Sequence, residues 1–480
     1  MKVDAAGEVV YDLAERVEIS SDGTTYTIVL VQDRTWSDGT PLTAEDVAFT
    51  IRTAQDALVG SPLRAAFQNV SVEVVGTHEV VLTLPARDQG FLEVLTVGVL
   101  PAHIWSPIAL DRLSYSEYNL NPVGAGPFVL TLRKASADGS PEMFVFTPNT
   151  RRSDAPNTTF HAKFFANEEL RMDALQEEAI DMAASIDAVQ AATLLDEDTV
   201  SIITRTLPRT FGIFFNQKIA PALLDVAARE ALDILIDRDK ITKVVLGEYA
   251  ESTNEPLPST WKYGITADAA TTTTFGVEAA RARLTRGGWA WSDTNALWEK
   301  KIAGATTTLS FTLTTLNASI FTATAAELEA QYAELGVPVK VIARERADMN
   351  SSIASREYEV LLYGTAFGRS RDLFPFWHSS RRVDPGLNVS LYTNLSADAA
   401  LERMRMATGT EEYAGAYASF MTAFRADTPA SFLFSPHFMY VVRDDITLML
   451  PTHITDQSER FALASQWYKE TERVWKIFNH

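Results

Sequence analysis

Between Val277 and Tyr363 the sequence alternates helical and extended patterns, and few topologies accommodate that order. Val277–Arg286 reads as a helix that stops at Gly287-Gly288, a good C-terminal signal. A strand is expected over Thr307–Thr314, a helix over Ser319–Leu335 ending at Gly336, and strands over Val337–Ala343 and Tyr358–Tyr363. Helices alternating with strands in this way pack on a mixed sheet, so the segment predicts an α/β lobe. A single core stops growing near ~250–300 residues, so a chain of 480 is expected to build at least one more.

The rest of the chain supplies it. Tyr26–Leu30 follows the turn Ser21-Asp22-Gly23 and is rich in β-formers. Thr43 is a candidate N-cap, with Glu45 and Asp46 in the first helical turn and Val47, Ile51, Ala54 and Leu58 as one apolar stripe. Val70–Leu84 reads as a hairpin around Gly76, Glu168–Glu178 as a short helix, Phe211–Asn216 as an apolar strand, and Pro221 to Asp239 as one long helix. The composition shifts to Ser, Thr and Pro at Glu251–Trp261, the first candidate crossover. Thr271–Thr274 is the one low-complexity tract. Two helices over Ala397–Met406 and Glu411–Arg425 precede strands at Ala430–Phe434 and Met439–Val442 that lead back to the first lobe. The expected division is a larger lobe of residues 1–250 joined by 436–480, and a smaller α/β lobe of residues 251–435.

Charge and composition remove several function classes. A formal charge of -20 repels phosphate backbones and anionic lipid, so no nucleic-acid partner is expected. Without cysteine there is no disulfide, thiolate metal site or cysteine nucleophile. No run reaches the ~18–20 apolar residues of a membrane span, and Phe91–Pro101 is short and carries Glu93. Met1-Lys2-Val3-Asp4 is not followed by the apolar region of a signal peptide. The seven histidines are scattered without HExxH spacing, and there is no P-loop or GxSxG elbow. Neither metal nor cofactor nor catalytic residue is expected. Gly124-Ala125-Gly126 is followed by Pro127, which makes it a rigid turn and not a dinucleotide loop.

Six segments in order carry a resemblance: Trp36–Val47, Pro122–Phe128, Ala174–Asp181, Phe214-Phe215-Asn216, Arg229–Leu232 with Asp237-Arg238, and Phe374–Ser380. Together they resemble family 5 extracellular solute-binding proteins, the oligopeptide- and dipeptide-binding type. The resemblance begins near Glu8, without counterparts of the family's first strands. It implies a bilobed, periplasmic-binding-protein-like α/β fold whose two lobes close on a ligand by hinge motion. It also implies a role as the substrate-binding component of an ABC importer, periplasmic or extracellular, monomeric, delivering an oligopeptide or similar small solute to permease subunits. The rivals are a hydrolase acting on a peptide or other small substrate and an intracellular ligand sensor.

Binding residues concentrate in loops set on a rigid scaffold, which selects Tyr363–Arg371, with Tyr363, Gly364, Thr365, Phe367, Arg369 and Arg371. Many peptide-binding members of the family place an acid for the ligand's amine where this chain has Arg369, and a guanidinium favours an anion instead. Phe211 and Asn216 are further candidates, Asn216 being equally suited to a loop or to ligand backbone. Trp377 could stack on ligand or simply fill the core. The segment Trp36–Val47 reads as scaffold, and Arg229 and Arg238 as structural ion-pair partners.

Overall fold

The computed structural model describes residues 1–88, 90–184, 186, 190, 191, 194, 199–247, 249–261, 275–384 and 386–469. The tract at Thr271–Thr274 lies outside them. The chain forms two compact units, one of residues 1–205 with 439–480 and the other of residues 206–438. Strands of three residues or more and helices of eight or more are numbered below.

The first unit begins with an antiparallel sheet in the order β1-β2-β4-β3, formed by β1 (Ala14–Ile19), β2 (Thr25–Leu30), β3 (Ser71–Gly76) and β4 (Glu79–Thr83). Alternation in β2 and β4 turns Tyr26, Ile28, Leu30, Val80 and Leu82 into the core, as period-2 patterning requires. Helix α1 (Ala44–Gln55) starts at Thr43, whose N–H donates to the Asp46 carboxylate at 2.8 Å. It ends at Gln55, so Leu58 is exposed and the buried face is Ala44, Ala48, Ile51 and Ala54. Strands β5 (Phe128–Ala135), β6 (Pro141–Pro148) and β7 (Phe160–Lys163) form a second antiparallel sheet. Helix α2 (Glu168–Gln176), capped by Asn167, leads to β8 (Met182–Ala184), and β9 (Val200–Thr206) carries the chain towards the second unit.

The second unit is a three-layer α/β body. Its strands are β10 (Arg209–Phe215), β11 (Ala250–Ser252), β15 (Phe311–Leu316), β16 (Val339–Arg344), β17 (Val360–Ala366) and the first part of β18 (Ala430–Arg443). Between β11 and β15 lies a separate meander, β12 (Ala290–Ser292), β13 (Leu297–Ile302) and β14 (Ala305–Thr308). The main order is β18-β10-β17-β15-β16, antiparallel from β18 to β17 and parallel from β17 to β16, with β11 also paired to β18. Phe211, Ile213, Phe215, Val360 and Leu362 face one apolar layer, while Phe214 and Leu361 face the other. The first layer is closed by α3 (Val226–Leu235), α4 (Arg238–Leu246), α5 (Val277–Arg286) and α6 (Ser319–Leu335). The short α7 (Arg346–Ser355) with α8 (Leu395–Met406) and α9 (Thr410–Asp427) closes the second, where α9 contributes Tyr413, Tyr417, Phe420 and Phe424.

Four sequence expectations are corrected. The strand expected over Thr307–Thr314 is two, split where Leu309 N–H donates to Trp298 O at 2.9 Å and turns the chain from meander to main sheet. The helix expected from Pro221 to Asp239 is interrupted twice, because Asp225 and Asp237 each cap a new helix and thereby end continuity. The strands expected at Ala430–Phe434 and Met439–Val442 are one, β18, which runs through both units. Finally, the first crossover is at Arg205/Thr206 and not near Glu251–Trp261, since α3 and α4 share a core with α5 and α6.

Candidate functional site

In the second unit β17 outruns one of its neighbours. On one side it pairs with β10 along its whole length, from Phe215↔Val360 to Arg209↔Ala366. On the other it meets β15 only at Leu313↔Val360 and Thr314↔Leu361. The last four residues, Tyr363–Ala366, therefore have no strand partner on that side among the described residues. Tyr363 and Gly364 are half-buried and Ala366 is exposed. An unpaired edge of this kind offers main-chain donors and acceptors to an extended ligand.

The turn that follows is held from several directions. Phe367 N–H donates to Pro208 O at 2.7 Å, and its ring sits edge-on to Phe376 with centroids 4.9 Å apart. Tyr413 on α9 donates its hydroxyl to Arg371 O at 2.7 Å, and the Arg371 guanidinium lies 4.7 Å from the centre of the Tyr413 ring. Arg371 itself has φ +55, a left-handed conformation held by these contacts. Asp372 caps the next turn through Phe374 N–H at 3.0 Å and receives Arg405 from α8. One turn further along α9, Tyr417 donates to Glu255 at 2.8 Å, and Arg425 bonds the same carboxylate at 2.6 Å. Burial pushes the Tyr417 hydroxyl well above its ordinary range, so it stays a proton donor.

The nine candidate residues separate into two groups. Tyr363, Gly364, Thr365, Arg369 and Arg371 lie on the β17 edge and its turn, although Thr365 and Arg371 are buried and Thr365 donates to Thr210 O. Phe211, Asn216, Phe367 and Trp377 are interior. Phe211 stacks on Phe434 with centroids 5.2 Å apart, and a side chain at Gly364 would come within 3.3 Å of its ring. Trp377 stacks on Phe214 and meets Phe424 edge-on. Asn216 donates to Arg356 O at 3.0 Å and Tyr358 O at 2.9 Å and accepts from Lys218 N–H, so its polar capacity serves the loop and not a ligand. Asp372, Arg405, Tyr413 and Pro208 were missed by sequence reasoning. Tyr413, Tyr417, Phe420 and Phe424 do carry a helical spacing, but spacing names a buried face and not the loop it grips.

Arg229 donates to the carbonyls of Leu223, Leu224, Asp427 and Thr428, which makes it a tie between backbone segments where an ion pair was expected. In the first unit, a cavity of about 650 Å³ lies among Phe160, Tyr440, Phe461, Trp467 and their neighbours. Among the described residues no helix is long and apolar enough to cross a membrane, and no group of three or more His, Asp or Glu is placed to hold a metal ion.

The class of the protein, a solute-binding protein, follows from comparison with known proteins. The chain belongs to the bacterial extracellular solute-binding proteins of family 5, whose middle-region family model matches residues 8–383. It is 23% identical over 450 residues to the oligopeptide-binding protein AppA of Bacillus subtilis, covering 91% of this chain and 80% of that one. Putative ABC transporter peptide-binding proteins of Brucella are 29% identical over 254 residues, 52% of this chain and 47% of theirs. Among solved structures, a putative peptide-binding protein AppA from Clostridium difficile superposes with a TM-score of 0.81 at 21% identity, covering 98% of this chain and 94% of that one. NikZ from Campylobacter jejuni, solved in complex with Ni(L-His), gives 0.77 at 24% identity, covering 98% and 92%. The bilobed α/β fold is thus the fold of these receptors.

Proposed function

We propose that the protein is the extracytoplasmic substrate-binding component of an ABC importer, that it captures an oligopeptide, and that it hands the ligand chemically unchanged to permease subunits. The observation that carries the peptide reading is the edge of β17 at Tyr363–Ala366, unpaired among the described residues, where a ligand main chain can continue the sheet. Recognition through the backbone leaves side-chain selectivity loose, and Arg369 beyond the edge supplies a cation for a ligand carboxylate. The names borne by relatives, oligopeptide-binding and ABC transporter peptide-binding protein, support the same reading.

Calorimetric titration tests it with a peptide identified by native mass spectrometry of purified protein, against the same peptide N-methylated at alternate residues. Each lost main-chain hydrogen bond contributes about 1 kcal/mol, so N-methylation should weaken binding by roughly fivefold or more per bond. Equal affinity for both peptides would remove edge pairing from the mechanism.

A further inference from the structure

Another cavity of the first unit, of about 320 Å³, is lined by residues of β1, β2 and α1 and by the segments Leu95–Val99 and Gly124–Gly126. Its wall is apolar and firm: Val17, Leu30, Trp36, Ile51, Leu95 and Val97 contribute to it, and Leu30, Trp36 and Ile51 are buried. The polar side chains of that wall, and the Met1 amino group, all have partners. Trp36 Nε1 donates to Asp46 at 3.4 Å, the Thr96 hydroxyl to Glu93 O at 2.8 Å and the Met1 amino group to Leu95 O at 3.3 Å, while Asp12 accepts from the buried Arg152 at 3.1 Å. Three glycines, Gly98, Gly124 and Gly126, complete the lining, and none has the positive φ that favours glycine. A Cβ at Gly98 or Gly126 would meet nothing within 4 Å, and one at Gly124 only the Gly126 nitrogen at 4.0 Å. Neither backbone conformation nor packing therefore requires glycine at these positions, and alanine would lose less chain entropy on folding. What glycine preserves there is the space itself.

We propose that this cavity is a binding site for a small, neutral, apolar ligand. An apolar cavity of about 150 Å³ takes up benzene, so one of about 320 Å³ suits a molecule about twice that size, such as a fused two-ring hydrocarbon. A charged ligand would be stripped of water without gaining a side-chain partner, because the polar side chains of the wall are bonded within the protein. The site does not depend on the β17 edge, since all of its residues lie in the first unit.

Calorimetry of the full chain with naphthalene tests this, with naphthoate as the charged control. Saturable binding of naphthalene is expected, and naphthoate should bind about tenfold more weakly or worse. Gly98→Leu should fill the space and abolish binding, and Gly98→Ala should weaken it by a smaller factor. Gly415→Leu, on an exposed face of α9, should bind as the wild type does. The thermal midpoint of Gly98→Ala should equal or exceed that of the wild type, because the added methyl group enters open space. The proposal is overturned if naphthalene does not bind, if naphthoate binds equally well, or if Gly98→Leu leaves binding intact, which would place naphthalene elsewhere. A lowered midpoint of Gly98→Ala would also overturn it, by showing that the space at Gly98 is not open.

Discussion

Arg405 holds Asp372 through two guanidinium nitrogens, Nε at 3.0 Å and Nη2 at 2.5 Å from Oδ2, while its Cζ lies 3.9 Å from the centre of the Phe374 ring. The pair joins α8 to the turn that leaves the candidate binding edge. Both side chains are about a third exposed, so water screens the attraction and the pair contributes under about 1 kcal/mol to folding. Its effect is on geometry.

Replacing Arg405 with Ala should therefore change binding more than stability. The turn would lose one of its fixed ends, and peptide affinity should fall about three- to tenfold. The thermal midpoint should drop by no more than roughly 2–4 °C, as expected for about 1 kcal/mol in a unit the size of residues 206–438. Differential scanning calorimetry beside isothermal titration separates the two, and an unaltered affinity would show that the turn is not part of the site.

Asn216→Ala should do the reverse. It strips partners from the buried Arg356 and Tyr358 carbonyls and from the partly buried Lys218 N–H. Leaving buried polar groups unsatisfied costs about 1–3 kcal/mol, so the free energy of unfolding of the second unit in urea should fall by an amount of that order, and its midpoint with it. Ligand affinity measured well below that midpoint should hold.

Arg369 is the residue whose substitution tests ligand charge. If it meets a ligand carboxylate, Arg369→Ala should weaken binding about ten- to a hundredfold, matching a charged hydrogen bond of about 1.5–3 kcal/mol. Arg369→Asp should be worse, because it sets like charges together. Titration with free-acid and amidated forms of one peptide completes the test, since only the free acid should respond to the substitution.

Asp154 gives a pH signature. Hydrogen bonding to the buried Arg152 guanidinium holds its carboxyl at about 2, below the ordinary 3.8. A depressed folded-state value favours the folded chain above the unfolded pKa, and that contribution disappears as pH falls from about 4 to 2. Asp154 is half-exposed, so the effect is small. Urea unfolding of wild type and Asp154→Asn across pH 2–5 should show a shallower pH dependence in the variant, and parallel curves would contradict the assignment.

By itself the sequence determined those elements that local chemistry closes, and the family. The capped helix at Thr43, the hairpin around Gly76 and the helix closing at Gly336 are local events, settled by turn chemistry and period within a few residues. The six ordered segments sufficed for a correct family resemblance. Tertiary structure decided which strand edges remain unpaired, because pairing is non-local: β17 lies beside β10 and β15, and nothing within Tyr363–Ala366 states how far β15 extends. It also decided that Asn216 serves a loop, and that α3 and α4 join the second unit and not the first. Those outcomes depend on which apolar face buries against which, and two faces of similar composition are indistinguishable until both partners are in place.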